Sequence, residues 1–289
     1  MRSTGTLLAG EGFTMKGPGS GSIITDQNYV FNGKPNNGDI NLTINAGNDY
    51  LVGNPYPSAI DAEQFILDNG SIISGAGPTT GTLYFWEHWG GGSHVLAEYQ
   101  GGYGTYTLAG GTPAASQGSS DPDVSTGGAP TKTPGRYIPV SQGFFVVGEA
   151  NGTINFNNGQ RIFKKEGSTS TFMRSPNEGD VRNPASTEDL RMKFRIGFNS
   201  VNTIHRQLLL TIDENTTTGV DWGYDGKLNE DQIDDMYWIL EDEKYNIQSV
   251  DTINKKSVFT LGIHTSKDGL NNISIDALEH IPDYVDICT

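Results

Sequence analysis

The densest run of hard oxygen donors in the chain is DENTTTGVDWGYDGKLNEDQIDD, residues 213–235. Asp213, Asn215, Asp221 and Asp225 offer carboxylate and amide oxygens, and Gly219, Gly223 and Gly226 let a loop turn tightly. Oxygen-rich loops whose backbone carbonyls complete the shell suit Ca²⁺, so calcium is the cofactor these residues suggest. The spacing is not that of an EF-hand: the twelfth position counted from Asp213 is Tyr224, where that loop needs a bidentate Glu. The competing reading is a solvated acidic loop whose Asp side chains form local turns. Trp222 and Tyr224 are expected to pack on the domain rather than on a ligand.

A second candidate is TLYFWEHWGGGSHVLAEYQGGYGTY, residues 82–106, which holds two of the four tryptophans. Trp86, Trp89, Tyr99 and Tyr103 are the candidate ligand-binding residues, since aromatic faces stack on sugar rings while Glu87, His88 and Gln100 hydrogen-bond hydroxyls. The alternative is that the rings fill a core and cover its glycine corners.

Other chemistries find less support. His88 and His94 lie across three glycines at no usual zinc spacing, and the lone cysteine, Cys288, leaves no thiolate set. No Gly-x-Ser-x-Gly elbow is present. Glu87 and Glu98 form a carboxylate pair of the kind glycosidases use, but nothing fixes their separation. Gly17-Pro18-Gly19-Ser20-Gly21 lacks the lysine and helix of a phosphate loop. The chain is therefore expected not to be an enzyme.

The elements that position these residues read as strands. Leu83 to Trp86 favour a pleated, half-buried surface, and Gly90 to Gly92 break it so that the chain returns through His94 to Tyr99 as a long hairpin. Ile40, Leu42 and Ile44 alternate, Leu51 and Val52 end another strand, and Gln142 to Val147 read as a central one. Ser58 or Asp61 caps a short helix through residues 62–67 that stops near Asn69-Gly70. Thr153 to Phe156 and Arg161 to Phe163 suggest a hairpin about Asn157-Asn158-Gly159. Residues 107–134 carry almost no large apolar side chains and read as a mobile surface loop. Further strands follow at Leu190 to Ile196, Gln207 to Ile212 and Ser257 to Ile263. The fold class is all-β: two β-sandwich or jelly-roll-like domains, residues 1–174 and 189–289, with the polar stretch 175–188 as linker and one short helix in the first.

Glycine contributes 38 residues, near twice the usual share of ~7%, in keeping with strands and turns. The formal charge of −15 makes nucleic acid an improbable partner. It is compatible with divalent cations, a neutral polysaccharide or plain solubility. No stretch approaches the ~20 apolar residues of a membrane span, and MRSTGTLLAGEGF lacks a signal-peptide core.

The segments GNPYPSAIDAEQFI (53–66), LYFWEHWGGGSHVLAEYQGGYGTYTLAGGTPAAS (83–116), GRYIPVSQGFFVV (135–147), NFNNGQRIFKKEG (155–167) and HRQLLLTIDENTTTGVDWGYDGKL (205–228) resemble a region of large secreted proteins of flavobacteria and related Bacteroidetes. There it lies upstream of a type IX secretion sorting domain. The resemblance implies export and an extracellular or cell-surface location, with extracellular polysaccharide or other surface proteins as partners. It carries no catalytic residue. The chain ends at Ile287-Cys288-Thr289, where the resemblance implies further strands, so the second domain is expected to be truncated. The function expected is a non-catalytic surface module for spacing, presentation or adhesion, or else a carbohydrate-binding module, calcium-dependent or not, of a polysaccharide-degrading enzyme.

Overall fold

A computed structural model describes residues 6–14, 30, 32–70, 77–90, 100–116, 130–165 and 189–282. The expected linker 175–188 lies outside the described residues, as do Tyr99, Glu98, His94 and the side chain of Trp89.

The protein is all-β and sandwich-like, with one α-helix among the described residues. The N-terminal half runs β1 (Ile40–Ile44), β2 (Asp49–Gly53), β3 (Ala59–Asp61), α1 (Ala62–Asp68), β4 (Thr79–Gly90), β5 (Gln100–Thr107), β6 (Gly110–Thr112), β7 (Tyr137–Ile138), β8 (Gly143–Gly148), β9 (Gly152–Phe156) and β10 (Arg161–Ile162). The C-terminal half runs β11 (Lys193–Asn199), β12 (His205–Ile212), β13 (Gly226–Lys227), β14 (Asp235–Leu240), β15 (Glu243–Val250), β16 (Leu261–His264) and β17 (Asn272–Glu279).

In the first half, β8 is central as expected: it lies between β2 and β4 in a five-stranded sheet of order β2-β8-β4-β5-β6. Alternation decides its two faces. Phe144 and Val146 are fully buried, with Val52, Leu83 and Phe85 in the same core, while Phe145 points to the outer face. α1 closes the core. Its N-cap Asp61 accepts from the Glu63 N–H, and its C-cap is Asn69, matching the expected helix. Its Phe65 meets Phe144 edge-on at 5.3 Å.

Two expectations are corrected here. Residues 153–163 do not form a hairpin: β9 pairs with β1 and β10 with β3. The Asn157 side chain accepts from the Gly159 N–H and caps a single 3₁₀ turn, Asn158–Gln160, which sends the two strands to different sheets. The loop expected over 107–134 begins instead as buried structure, with β6 paired to β5 and Ala109, Ala114 and Ala115 almost wholly covered. Small side chains are what a close approach of two layers requires, so low hydropathy does not mean exposure here. Residues 117–129 lie outside the described set.

The second half is built on a sheet of order β16-β14-β15-β12-β11-β17, with β13 added to β15. One face carries Phe198, Leu208, Leu210, Met236 and Trp238. The opposite face, with Leu209 and Ile247, meets Ala109 of the first half. Polar bonds surround that contact: Thr211 Oγ1 donates to the Ala109 carbonyl at 3.0 Å, and Asn246 Nδ2 donates to Thr105 and Thr112 at 2.7 and 3.2 Å. Arg191 and Arg195 donate to the Leu108 and Gly111 carbonyls. Buried donors and acceptors paired in this way avoid the desolvation penalty that lone ones carry. β12 and β15 run parallel, so the chain needs a long crossover between them. That crossover includes the acidic loop.

Candidate functional site

The four oxygen-donor residues divide into two groups. Asp213 faces Arg191, whose Nη1 lies 2.6 Å from Oδ2, and its Oδ1 accepts from the Asn215 N–H and side-chain amide. Burial pushes its acidity down, yet the Asn215 and Arg191 donors hold its carboxyl below the ordinary range. Asp221 accepts from the Thr217 N–H, 2.5 Å, within the loop. Asp225 is buried, with one oxygen on the Ser249 N–H at 2.7 Å and the other on the Asp221 N–H at 2.6 Å. Among the described residues no three His, Cys, Asp or Glu side chains converge on one point. Each of the three carboxylates accepts from a protein donor of its own.

What the loop does is dock one half on the other. Trp222 lies against Gly70 and Gly81, where any Cβ would crowd the indole, and its Nε1 donates to the Thr79 carbonyl at 2.8 Å. Gly81 and Gly223 touch backbone to backbone and both hold positive φ, which suits glycine. The Gly223 and Tyr224 carbonyls accept from Leu108 N–H and Thr107 Oγ1. Trp222 and Tyr224 pack on the core of the first half, as expected.

Burial raises the Asp225 carboxyl to about 7, against its two N–H donors, with the Asp221 charge adding to the rise. Its folded pKa lies above its unfolded one, so its contribution to stability is full below pH ~4 and is lost as pH rises towards 7. The loss is on the order of a few kcal/mol. Thermal melts between pH 4 and 8 are expected to fall across this window in the native protein and to be flatter in Asp225→Asn; equal slopes would show that Asp225 does not set them.

The aromatic stretch forms the expected β4–β5 hairpin, in which Trp86 pairs with Tyr103 and Glu87 with Gly102. Cross-strand partners share a face. Trp86 and Tyr103 stand on the outer face with their ring centroids 5.0 Å apart, and Tyr103 meets Phe145 at 5.6 Å. Trp86 is 37% exposed, while Tyr103 is half-buried. The indole lies over Gly101, where a Cβ would collide with it. This is one exposed ring buttressed by two others rather than a flat platform, because the Trp86 and Tyr103 planes meet at 63°.

Glu87 points the other way. It is 3% exposed and accepts from Thr131 N–H and Oγ1, at 2.9 and 2.8 Å, and from Lys132 N–H at 3.3 Å. Burial raises its carboxyl against those donors. It thereby holds down residues 131–134, whose Pro134 covers Gly104 and Gly111.

One residue of this region was not indicated by the sequence. Glu230, from the second half, accepts from the Tyr103 N–H at 3.3 Å, and burial raises its carboxyl while Arg206 opposes the rise. Nearby, Tyr84 Oη donates to the Lys227 carbonyl at 2.9 Å. An open groove of about 320 Å³ is formed by the second half, lined by Lys227, Asn229, Glu230, Asp231, Asp242 and Lys244 among others. A glutamate 127 positions from Tyr103 carries no local signal that could have revealed this neighbourhood.

No curated protein and no solved structure matches the chain. Residues 1–283 match the family described as a domain of unknown function, DUF8693. The match covers nearly the whole sequence, both halves included, and the chain belongs to that family.

Proposed function

We propose that this chain is a non-catalytic module of a protein exported by type IX secretion and held outside the cell, where it serves spacing, presentation or adhesion. The observation that carries the non-catalytic part is the use made of the carboxylates: Glu87 secures residues 131–132, Asp213 pairs with Arg191, and Asp225 caps two backbone N–H groups. A general acid or base must reach a substrate, and these are turned inward. The extracellular part draws on the sequence resemblance. This reading does not require calcium, since Asp213, Asp221 and Asp225 each accept from a protein donor.

A second reading, binding of carbohydrate, is favoured by one feature, the exposed Trp86 indole beside Tyr103 on an outer sheet face. An antibody raised against the chain tests the first reading on intact and lysed cells of the producing organism. Labelling of intact cells is expected, and labelling only after lysis would contradict export. Release of new reducing ends from polysaccharides by the purified chain would contradict the absence of catalysis.

A further inference from the structure

We infer that Trp86 and the groove beside Glu230 form one binding site, built from both halves of the chain, for a neutral polysaccharide. The inference deepens the second reading above and rests on it. Trp86 contributes the apolar surface: its indole is supported by Gly101 below and by Tyr103 at its edge, so it is held in place before a ligand arrives. Tyr103 joins this surface to the groove, because its ring touches Trp86 while its N–H is held by Glu230. Tyr84, two residues before Trp86 on β4, reaches the Lys227 carbonyl, so the loop 227–230 runs alongside the same strand. The groove supplies what an aromatic ring cannot, namely carboxylate, amide and ammonium groups placed to bond hydroxyls.

The charge of the groove selects among glycans. Four carboxylates (Glu230, Asp231, Asp242, Glu243) line it against two lysines, Lys227 and Lys244. Those lysines are already paired, with Glu243 at 3.1 Å and with Asp231 at 2.7 Å. A uronate or sulfated chain would place its own anions beside Glu230 and Asp242, while a neutral hexose polymer would offer only hydroxyls and a C–H face. The halves must keep their mutual position for the site to exist, which the Trp222 contact and the β6 contacts provide.

The test is affinity electrophoresis of the whole chain through gels containing a glucan, a galactomannan, alginate or polygalacturonate. The native chain is expected to be retarded by a neutral polymer and by neither acidic one. Trp86→Ala and Glu230→Gln are each expected to weaken retardation about tenfold, through lost stacking and a lost charged acceptor respectively. Asn229→Ala, at an exposed position, gives a further variant of the groove that leaves the core intact, and melting temperatures equal to the native value confirm folding. No retardation by any neutral polymer, or retardation by the acidic ones, overturns the inference. If Trp86→Ala abolishes binding while Glu230→Gln and Asn229→Ala leave it unchanged, the shared site is wrong although sugar binding stands. None of these outcomes alters the result of surface labelling, so failure of the site and failure of the extracellular reading are separable.

Discussion

Replacing Asp235 by alanine is expected to destabilise the protein by about 3–5 kcal/mol, the largest effect of any single change we foresee. Asp235 and Arg206 are both almost wholly buried, 0% and 1% exposed on the side chain. The guanidinium donates to both carboxylate oxygens, at 2.7 and 2.9 Å, and the remaining lone pairs accept from the Gln232 and Met236 N–H groups. Removing the carboxylate leaves a buried cation without its counter-charge, held only by the Glu230 carbonyl, and strands two backbone donors, which costs far more than the pair gained by forming. The loss also reaches the groove, since Arg206 holds the Glu230 carbonyl at 3.2 Å. Urea denaturation reads the effect directly, and Arg206→Met combined with Asp235→Leu should lose much less than the two single variants added together. Additive losses would mean that the pair is not a coupled unit.

Trp222→Ala is expected to cost about 3 kcal/mol, the lower part of the range for removing a large aromatic side chain, because the ring is only half-buried. The indole fills the slot made by Gly70 and Gly81 and bonds the Thr79 carbonyl, so it is the main apolar element that the acidic loop contributes to the first half. Gly70→Ala should cost a comparable amount by the opposite route, since its Cβ would overlap the indole. The two defects share one space. In the double variant the new methyl occupies volume the ring has vacated, so the combined loss should fall well short of the sum. Independent, additive losses would show that Trp222 does not occupy the Gly70 slot. A loss confined to the second half of the chain, followed by proteolysis or hydrogen exchange, would show that the halves do not depend on this contact.

Local pattern was enough for much of the fold. Ile40, Leu42 and Ile44 alternate with a period of two residues, while Phe144 to Val147 and Leu208 to Ile212 are short apolar or β-branched runs of the kind that form strands covered on both faces. The helix was legible for the same reason, since Asp61 caps its own neighbour Glu63. β14 and β15 carry no such local signature, because Asp235 and Asn246 interrupt the apolar pattern with polar groups whose partners, Arg206 and Thr105, lie far along the chain. Asn157-Asn158-Gly159 has the composition of a hairpin turn, yet the buried Gln160 bonds Asp68 and the Asn155 carbonyl and fixes a different turn.

The two candidate sites show the same boundary. Sequence by itself determined that Asp213, Asn215, Asp221 and Asp225 share an oxygen-rich loop, and that Trp86 and Tyr103 lie on strands joined by a hairpin. It determined these things because residue type and short spacing govern turns and pleats. Only the tertiary structure decided that Arg191 and Ser249 take up the loop's carboxylates, that Glu87 turns inward while Trp86 turns out, and that Glu230 stands beside Tyr103. Each of those outcomes is a contact between distant segments, set by how the two halves pack, and no local spacing encodes it.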